Sequence, residues 1–513
     1  MDRKTSLAPD NKISAIMADP QQQPAARDML RSQLAQDGTT LSYLKWSRQL
    51  PSFIERQQIT VVAPFTVETM SPFLAVETYL SGWGFEARYQ QYALWQAALI
   101  EPDAQPPQPR ATILLLDEKT AVNGLGATAV EASKTIRTLI ERFREKSQTP
   151  LFLGLVPATP DPDAAAFGIA EAGSRLGVLQ AINSTLADIG LRDPNTWLID
   201  VPGALTAAGL NWHDAAGFAQ NLSYVSHVGM PFLCRSIARA AAGLFVPRHK
   251  VLVTDLDETL WGGIVGELGA DKVLTGEGGK GGPYRAYQKF LAGLRDSGIL
   301  IAINSKNNEA DAREVFETRG GDLALGWDQI SAYRINWTDK ATNLAEIAAE
   351  LGLGLDAFVF VDDSPTECEL IRQIHPSVTV VQAPQGATGL VNCVLQTRAF
   401  DTLTISSEDR ERAGRYETER LRDDLRTGAS DMETFLMSLD LSLIIAPLGD
   451  ENVYRAHQLL GKTNQFHLTL ERPTLAELNT RRAGGHEIFV AQLKDRFGDY
   501  GIIAVVELEP MEE

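Results

Sequence analysis

The chain has 513 residues and a net charge of −19, with 44% apolar and 22% charged residues. This length exceeds what one hydrophobic core supports, so several domains of an ordinary globular kind are expected. The acidic balance argues against a nucleic-acid-binding protein. A membrane protein is not expected either, because no apolar run is long enough to span a bilayer.

The N-terminal region is polar and lacks the apolar core of a signal peptide. The cysteines Cys234, Cys368 and Cys393 lie far apart, which suggests neither a disulfide framework nor a zinc cluster. We therefore expect a cytoplasmic protein. Residues 1–24 are rich in Asp, Pro and Gln, which predicts a disordered lead-in. A short helical segment follows and completes a first region, residues 1–56.

Residues 57–247 alternate between apolar strand patterns and helical patterns. This alternation predicts a parallel sheet that is covered on both faces. The predicted strands are 59–63, 112–116, 151–155 and 197–201, and the predicted helices include 130–146, 164–189 and 231–242. Pro247 and Arg248 mark a predicted joint to the next domain.

A second α/β series covers residues 248–398 and predicts a doubly wound parallel sheet. Its predicted strands are 251–254, 299–304, 358–361 and 378–382, and its predicted helices are 284–297, 308–317 and 340–351. The Gly-rich stretch at 276–283 predicts a mobile loop. The pattern changes in residues 399–513, where a charged helix, a strand, a second helix and a β-rich piece predict an α+β region.

Two acidic residues, Asp255 and Asp257, follow the strand predicted at 251–254. Ligands of parallel sheets gather at the carboxyl ends of the strands. Alternate residues of an extended segment face the same way, so both carboxylates can reach one cavity. Like charges at close range are costly without a cation, which predicts Mg²⁺ with oxygen ligands.

Further polar residues stand at the ends of other predicted elements. Ser305 follows a strand, Lys340 opens a helix, and Asp362 and Asp363 end the strand FVFV. An Asp nucleophile, a Ser, a Lys and an acidic pair in this order resemble the four-part signature of the haloacid-dehalogenase superfamily. A DxD alone is more often a solvated turn, but the full ordered set makes that interpretation improbable.

Each residue of the signature has a role that its chemistry allows. Asp255 can attack phosphorus and form an aspartyl phosphate, and Asp257 can protonate the leaving group. Ser305 and Lys340 can hold the phosphoryl oxygens, and we expect the loss of Lys340 to cost activity while leaving the fold intact. The superfamily resemblance implies that Asp255, Asp257 (through its backbone carbonyl) and Asp363 hold the metal, with Asp362 as a further ligand or supporting neighbour.

Longer motifs sharpen this resemblance. DLDETLWGGIVGE, AINSKNNEADA, INWTDKATNLAEIAAEL, FVFVDDSPTECELIRQ, LLGKTNQFHLT and DRFGDYGIIAV resemble the FkbH-like branch of the superfamily. The resemblance covers about residues 250–506. The family usually has Asn where this chain has Glu258, and that extra carboxylate alters the local electrostatics.

The FkbH-like resemblance implies a specific reaction in polyketide-type biosynthesis. It implies that the glyceryl group of 1,3-bisphosphoglycerate is freed of phosphate and loaded onto the phosphopantetheine thiol of an acyl carrier protein. The residues by themselves predict only Mg²⁺-dependent chemistry on a phosphorylated substrate. Carrier proteins are usually acidic, so docking to this acidic chain would need a local positive patch.

A thiol near the site would suit such a transfer, and Cys368 is the candidate. Ser364 and the proline after it form a good helix opening, which places Cys368 about one turn into that helix. The helix N-terminus and Lys340 would lower the pKa of the thiol, while Glu367 and Glu369 oppose this effect. The alternative is a small apolar residue that packs the helix against the sheet.

The flanking regions resemble other folds. FkbH-like proteins often carry an SGNH-hydrolase-like domain at the position of residues 57–247. An active enzyme of that type needs a Ser after the first strand, and here Thr66 is the nearest hydroxyl. His213, Asp214 and His227 form no clean DxxH, so we expect a scaffold rather than an esterase.

Residues 399–513 resemble the start of a GNAT-type acyltransferase fold. The glycine loop that would hold coenzyme A is not present by residue 513, which predicts a partial domain. The motif KTNQFHLT at 462–469 predicts a packing role, with contact to the catalytic domain or the carrier arm as the alternative. Two further functions stay open for the whole chain: a plain small-molecule phosphatase or phosphotransferase, and a non-catalytic carrier-protein adaptor.

Overall fold

In the computed structural model, the described residues are 9–102, 109–126, 128–159, 174–428, 431–449, 451–462 and 473–508. The chain forms two compact units. The first consists of Met1–Gly326 and Tyr333–Arg410, and the second of Trp327–Ala332 and Glu411–Glu513. The predicted multidomain α/β architecture with doubly covered parallel sheets is confirmed.

The first unit begins with helices. These are α1 (Pro9–Met17), α2 (Gln23–Gln36) and α3 (Thr40–Ser47). The expectation of disorder is wrong for residues 9–24, because Ile13 and Met17 stand one helical turn apart and are both buried in the core. Leu30 and Leu34 repeat this spacing along α2. Four apolar positions at helical spacing therefore outweigh the polar composition of the segment.

The first sheet has five strands in the order β2-β1-β3-β4-β5, and all of its paired neighbours run parallel. The strands are β1 (Arg56–Val62), β2 (Gly84–Tyr89), β3 (Ala111–Leu114), β4 (Leu151–Gly154) and β5 (Thr196–Ile199). Its helices are α4 (Ser71–Leu80), α5 (Trp95–Ile100), α6 (Ala129–Lys146), α7 (Arg175–Arg192), α8 (Val201–Thr206), α9 (Ala215–Asn221) and α10 (Met230–Phe245).

Both faces of this sheet are covered, as the sequence predicted. Ile59 and Val61 of β1 pack in one core cluster, while Val62 points to the other face and packs in a second cluster. The first part of the predicted helix 164–189 lies outside the described residues, and its remainder is α7.

The second sheet also has five strands, in the order β10-β9-β6-β7-β8. The strands are β6 (Val251–Thr254), β7 (Leu300–Ser305), β8 (Ala332–Ile335), β9 (Phe358–Asp362) and β10 (Thr379–Gln382). Its helices are α11 (Val265–Leu268), α12 (Gly282–Asp296), α13 (Glu309–Thr318), α14 (Lys340–Leu351), α15 (Pro365–Ile374) and α16 (Leu390–Gln396). The central strand β6 is buried along its whole length and pairs in parallel with β7 and β9.

The second unit contains an antiparallel sheet of three strands in the order β11-β12-β13. Most of α17 (Ser407–Gly428) belongs to this unit. Its other elements are α18 (Met432–Ser438), β11 (Ser442–Pro447), α19 (Val453–Lys462), α20 (Leu475–Ala483), β12 (Glu487–Asp495) and β13 (Gly498–Leu508). The GNAT likeness of this region stays a prediction. The motif at 462–469 lies outside the described residues, except for the backbone of Lys462.

The predicted domain joint at Pro247 falls between the end of α10 and the start of β6. Both parallel sheets belong to the same compact unit, so the boundaries at 247 and 398 stay predictions. Within the ranges that the structure describes, no helix has both the length and the apolar character needed to cross a bilayer.

Candidate active site

The predicted site residues meet at one edge of the second sheet. Asp255 follows β6, Ser305 ends β7, and Asp362 ends β9 with Asp363 directly after it. Because β6 lies between β7 and β9, the carboxyl ends of these three parallel strands are neighbours. Lys340, the first residue of α14, completes the group through its side chain.

Lys340 lies between two carboxylates. Its Nζ atom is 3.0 Å from Oδ2 of Asp255 and donates a hydrogen bond of 2.5 Å to Oδ2 of Asp362. The start of α14 is fixed by Asp339, whose side chain accepts from the backbone of Thr342, and by Asn304, whose Nδ2 donates to the carbonyl of Lys340. Interactions of both its backbone and its ammonium group thereby fix Lys340 at the strand ends.

Burial and charge act in opposite directions on these groups. Burial alone would lower the pKa of Lys340, but the charges of Asp255 and Asp362 outweigh it and hold that pKa above its usual value. Burial, and after it the charge of Asp255, raises the pKa of Asp362 and of Asp363. One lysine does not neutralise this concentration of carboxylates.

A metal ion would supply the missing positive charge. One carboxylate oxygen each of Asp255, Asp362 and Asp363 lies within 4.8 Å of the others. Oδ1 of Asp255 is buried and has no hydrogen-bond partner within the part of the chain that the structure describes. Both oxygens of Asp362 already accept hydrogen bonds, from Lys340 and from the backbone of Ser364, so Asp255 and Asp363 are the carboxylates best able to coordinate. Oxygen ligands of this kind fit Mg²⁺.

Asp257 lies in the loop after β6 and is held by three donors. Its Oδ1 accepts from Nε1 of Trp261 at 2.8 Å and from the backbone of Val265 at 3.2 Å, and its Oδ2 accepts from Nδ2 of Asn307 at 2.8 Å. Burial nevertheless raises the pKa of Asp257 above its usual value, and the charge of Asp255 adds to this effect. A carboxyl with a raised pKa suits proton transfer to a leaving group. The role of its backbone carbonyl as a metal ligand stays a prediction.

Sequence reasoning did not single out Trp261 or Asn307, although both stand in the quoted motifs. Their donors orient the carboxylate of Asp257, which places them among the positioning residues of the site. Asn307 is a polar residue two positions after Ser305, in the loop that follows β7, and this position could have predicted its place in the site. Trp261 is fully buried, and nothing in the sequence distinguishes it from an ordinary core residue.

Glu258 has a left-handed backbone with φ of 54°. This conformation favours Asn and Gly over Glu. Two hydrogen bonds compensate, because Oε1 of Glu258 accepts from the backbone of Gly263 and Oε2 accepts from the hydroxyl of Tyr284, each at 2.8 Å. The charge of Glu258 also contributes to the raised pKa of Asp363, so this side chain acts on the site.

Cys368 lies in α15, which begins as predicted with Ser364 as the capping residue and proline in the first turn. The thiol is fully buried, and its Sγ lies 3.4 Å from the carbonyl oxygen of Asp362. Burial, and then the charge of Asp362, raises the pKa of Cys368 to about 12 and outweighs the lowering by Lys340. Its role as carrier of a glyceryl group stays a prediction.

The corresponding edge of the first sheet is built differently. The Thr66 hydroxyl donates to the carbonyl of Asn221 at 2.7 Å. Nδ1 of His213 lies 2.8 Å from the carbonyl oxygen of Tyr224, and Asp214 caps α9. These side chains therefore stabilise loops, which is the arrangement expected of a scaffold. The likeness of this domain to SGNH hydrolases stays a prediction.

Comparison with known proteins shows the fold. A crystal structure of the N-terminal part of the protein BF1531 from Bacteroides fragilis, which contains a phosphatase domain complexed with Mg, is similar with a TM-score of 0.61 and 23% sequence identity. The similarity covers 68% of this chain and 95% of that chain. No protein-family model matches this chain, and no match was found among curated proteins.

Proposed function

We propose that this chain is an Mg²⁺-dependent enzyme that removes a phosphoryl group from a small substrate through an aspartyl phosphate on Asp255. The proposal rests on the contacts of the two oxygens of the Asp255 carboxylate. One of its oxygens is 3.0 Å from Nζ of Lys340, and the other is buried without a hydrogen-bond partner among the described residues. The Mg-complexed phosphatase domain in the similar Bacteroides fragilis structure supports the assignment.

The proposed reaction has two steps. In the first, a carboxylate oxygen of Asp255 forms a bond to phosphorus, the bond from phosphorus to the leaving oxygen breaks, and Asp257 gives that oxygen its proton. In the second, Asp257 takes a proton from a water molecule, whose oxygen attacks phosphorus; the bond from phosphorus to the Asp255 oxygen breaks and phosphate leaves. Asp255 and Asp257 return to their starting states.

The other residues act by position and charge. Lys340 and Ser305 hold the phosphoryl oxygens, and Lys340 also orients the Asp255 carboxylate. Asp255 and Asp363 would hold Mg²⁺, which offsets the charge of the phosphoryl group when bound. Trp261 and Asn307 keep the carboxyl of Asp257 in place.

The FkbH-like resemblance extends this proposal to a specific substrate and acceptor. In that form, the chain takes the glyceryl unit of 1,3-bisphosphoglycerate to the phosphopantetheine thiol of an acyl carrier protein. A thiol attacks the carbonyl carbon C1 of the acyl phosphate and displaces its phosphate group. The Asp255 site hydrolyses the phosphate ester at C3. The product is a glyceryl thioester, and both phosphates leave.

One observation favours the simpler alternative, a small-molecule phosphatase. The only cysteine found beside the site among the described residues is Cys368, and its thiol is buried with a pKa raised to about 12. A thiol in that state is a poor nucleophile. In the transferase form, the thiol of the carrier protein would then attack the acyl phosphate directly.

Intact-mass spectrometry separates these outcomes. The protein is incubated with 1,3-bisphosphoglycerate, Mg²⁺ and a carrier protein that bears its phosphopantetheine arm, and both proteins are weighed. A glyceryl adduct on the carrier supports the transferase, whereas phosphate release with an unmodified carrier supports the phosphatase. Neither adduct nor phosphate release, in a sample that is folded and loaded with Mg²⁺, would contradict both.

The role of Cys368 is tested in the same assay with Cys368→Ala. A glyceryl adduct on the wild-type enzyme that is absent from the variant supports the carrier role. An adduct that still forms on the variant excludes it. Cys393 lies after the last strand of the same sheet, and Cys393→Ala is the matched control.

A further inference from the structure

A cavity of about 770 Å³ lies in the first unit, away from the active site. It is bordered by α2, α3, α10 and the segment that follows α16. Four arginines line it: Arg31, Arg235, Arg239 and Arg398. Cavities of this volume hold small organic molecules. This cluster of four cationic side chains contrasts with the net charge of −19 of the whole chain.

The cavity lies at the opposite end of the second sheet from Asp255. Ala399, next to Arg398, accepts a hydrogen bond of 2.9 Å from the backbone of His249. His249 stands before β6 begins, whereas Asp255 follows the end of that strand. A ligand in this cavity would therefore be bound separately from the phosphoryl site.

Two of the four arginines are held mainly by internal partners. Arg398 is buried, and its guanidinium donates to the side chain and carbonyl of Glu77 and to Ser81. Arg239 donates two hydrogen bonds of 2.7 Å to Asp401, through Nε and Nη2. The Nη1 group of Arg239 is not used in either of these bonds.

The other two arginines retain more of their donors. The nearest carboxylate oxygen to Arg31 belongs to Asp28 at 3.6 Å, and Nε of Arg31 is buried with no hydrogen-bond partner in the described part of the chain. Burial, and then the charge of Arg398, lowers the pKa of Arg31 to about 10. Arg235 reaches Glu77 through one nitrogen only, at 3.3 Å, and its side chain is 44% exposed.

Apolar side chains form much of the remaining wall, together with the polar residues Thr39, Thr40, His227 and Gln396. Tyr43, Val228 and Phe232 line the cavity together with the arginines. Arg235 lies over the ring of Phe232, with 5.5 Å from its guanidinium carbon to the ring centroid. Among the residues that line this cavity there is no Asp or Glu, so nothing at the wall itself repels an anion.

We propose that this cavity binds an amphipathic organic anion. Its phosphate or carboxylate group would bind Arg31, Arg235 and Arg239, and its apolar part would pack against Tyr43 and Phe232. Guanidinium groups match both kinds of oxyanion with paired donors. Arg31 lines the cavity, and its Nε has no hydrogen-bond partner among the described residues, so its guanidinium group keeps donor capacity for such a ligand.

Isothermal titration of the full chain in EDTA tests this proposal. The probes are octyl phosphate, octanoate and octyl glucoside, which share an apolar tail and differ in the head group. We expect both anions, or one of them, to bind one equivalent, and the neutral glucoside to bind at least about tenfold more weakly. The comparison of phosphate with carboxylate identifies the head group that the site prefers.

Variants locate the binding site. Arg235→Gln changes a half-exposed side chain, so the fold is retained, and we expect the affinity for the anionic probe to fall about tenfold or more. Arg31→Gln should act in the same direction. Arg192→Gln is the matched control, because Arg192 is 76% exposed on α7 and pairs only on the surface with Asp188; its affinity should equal that of the wild type.

Three results would overturn the proposal. The first is the absence of binding by either anion. The second is an affinity that is unchanged in both Arg31→Gln and Arg235→Gln, or that is equal for the glucoside. The third is binding that disappears in Asp255→Asn, which would assign the anion to the phosphoryl site instead.

Discussion

The two parallel sheets of the first unit have the same number of strands, but the side chains at the carboxyl ends of their strands have different roles. At that edge of the first sheet, Thr66 donates to a backbone carbonyl and Asp214 caps a helix, so the polar groups stabilise loops. At the same edge of the second sheet, Asp255, Asp362 and Lys340 form a buried charged group. The architecture supplies a place for chemistry, while the side chains at the strand ends decide whether it is used.

Buried carboxylates show the same difference. Burial opposes the ionisation of Glu77 in α4, but the charges of Arg398 and Arg235 outweigh it and hold the pKa of Glu77 below its usual value. At the edge of the second sheet burial raises the pKa of Asp257 and of Asp363, and Asp255 adds to the effect. A carboxylate matched with cations stabilises the fold, whereas crowded carboxylates indicate a functional site.

The largest effect is expected from removal of the nucleophile. Asp255→Asn should lower Mg²⁺-dependent hydrolysis of p-nitrophenyl phosphate by a factor on the order of 10³ or more, because the amide cannot form the aspartyl phosphate. Thr66→Ala, at the equivalent edge of the first sheet, should leave the rate unchanged. Initial rates of the purified variants at saturating Mg²⁺ provide the measurement. Loss of the rate in Thr66→Ala would reverse the assignment of the two edges.

Lys340→Met should affect both rate and stability. The rate should fall by about 10²–10³-fold through the loss of charge stabilisation at the phosphoryl group. The free energy of unfolding of the metal-free protein should fall by about 3–5 kcal/mol, because two buried carboxylates lose their partner. The two buried ion pairs therefore predict a loss of stability, whereas the sequence alone predicted an intact fold.

Arg398→Met is the matched control for that variant. Arg398 is as buried as Lys340, with 4% side-chain exposure for each, and it pairs with the fully buried Glu77 of the first domain. Its loss should destabilise the protein to a similar degree and leave the rate of the folded enzyme unchanged. Urea unfolding and initial rates, measured on the same samples, separate the two effects; equal rate losses in both variants would contradict the distinction.

Mg²⁺ should stabilise the folded protein. At a concentration of about 100 times the dissociation constant, the gain in the free energy of unfolding is about 2.7 kcal/mol. Asp363→Asn should abolish most of this gain, and chelation should abolish phosphatase activity. Urea unfolding with Mg²⁺ and with EDTA provides the comparison. A gain that survives in Asp363→Asn would place the ion elsewhere.

The smallest effect concerns His249 at the joint between the two sheets. Burial lowers the pKa of His249 to about 4 from 6.5, so the unfolded chain takes up this proton first as the pH falls. The stability that depends on neutral His249 is therefore complete above about pH 6.5 and is lost as the pH falls towards 4. Unfolding free energies at pH 7 and 5 should differ less in His249→Gln than in the wild type; an equal difference would contradict this account.

Local patterns in the sequence predicted the core of the site well. Asp255, Ser305 and Asp363 each stand beside a strand whose apolar run is unmistakable, so their meeting at one edge follows from a parallel sheet. The strands β2 and β8 were missed because their sequences GFEARY and AYRI mix polar and apolar residues, as suits strands at the edges of their sheets.

Long-range contacts were beyond what the sequence could give. The pairing of Lys340 with Asp362 joins residues that are 22 positions apart, and it depends on how α14 meets β9. The direction of the Cys368 thiol follows from the packing of α15 on the sheet rather than from the helix opening that was predicted correctly. The residues that line the arginine-rich cavity come from segments that are distant in the sequence, so no local motif predicts the cavity.

Detection of the aspartyl phosphate tests the central claim most directly. The Mg²⁺-loaded enzyme is mixed with a phosphorylated substrate, quenched in acid during turnover, reduced with borohydride and digested for peptide mass spectrometry. We predict that an acyl phosphate is trapped in the wild type and that borohydride converts position 255 to homoserine. Turnover without any such modification, or a modification at a residue other than Asp255, would contradict the account.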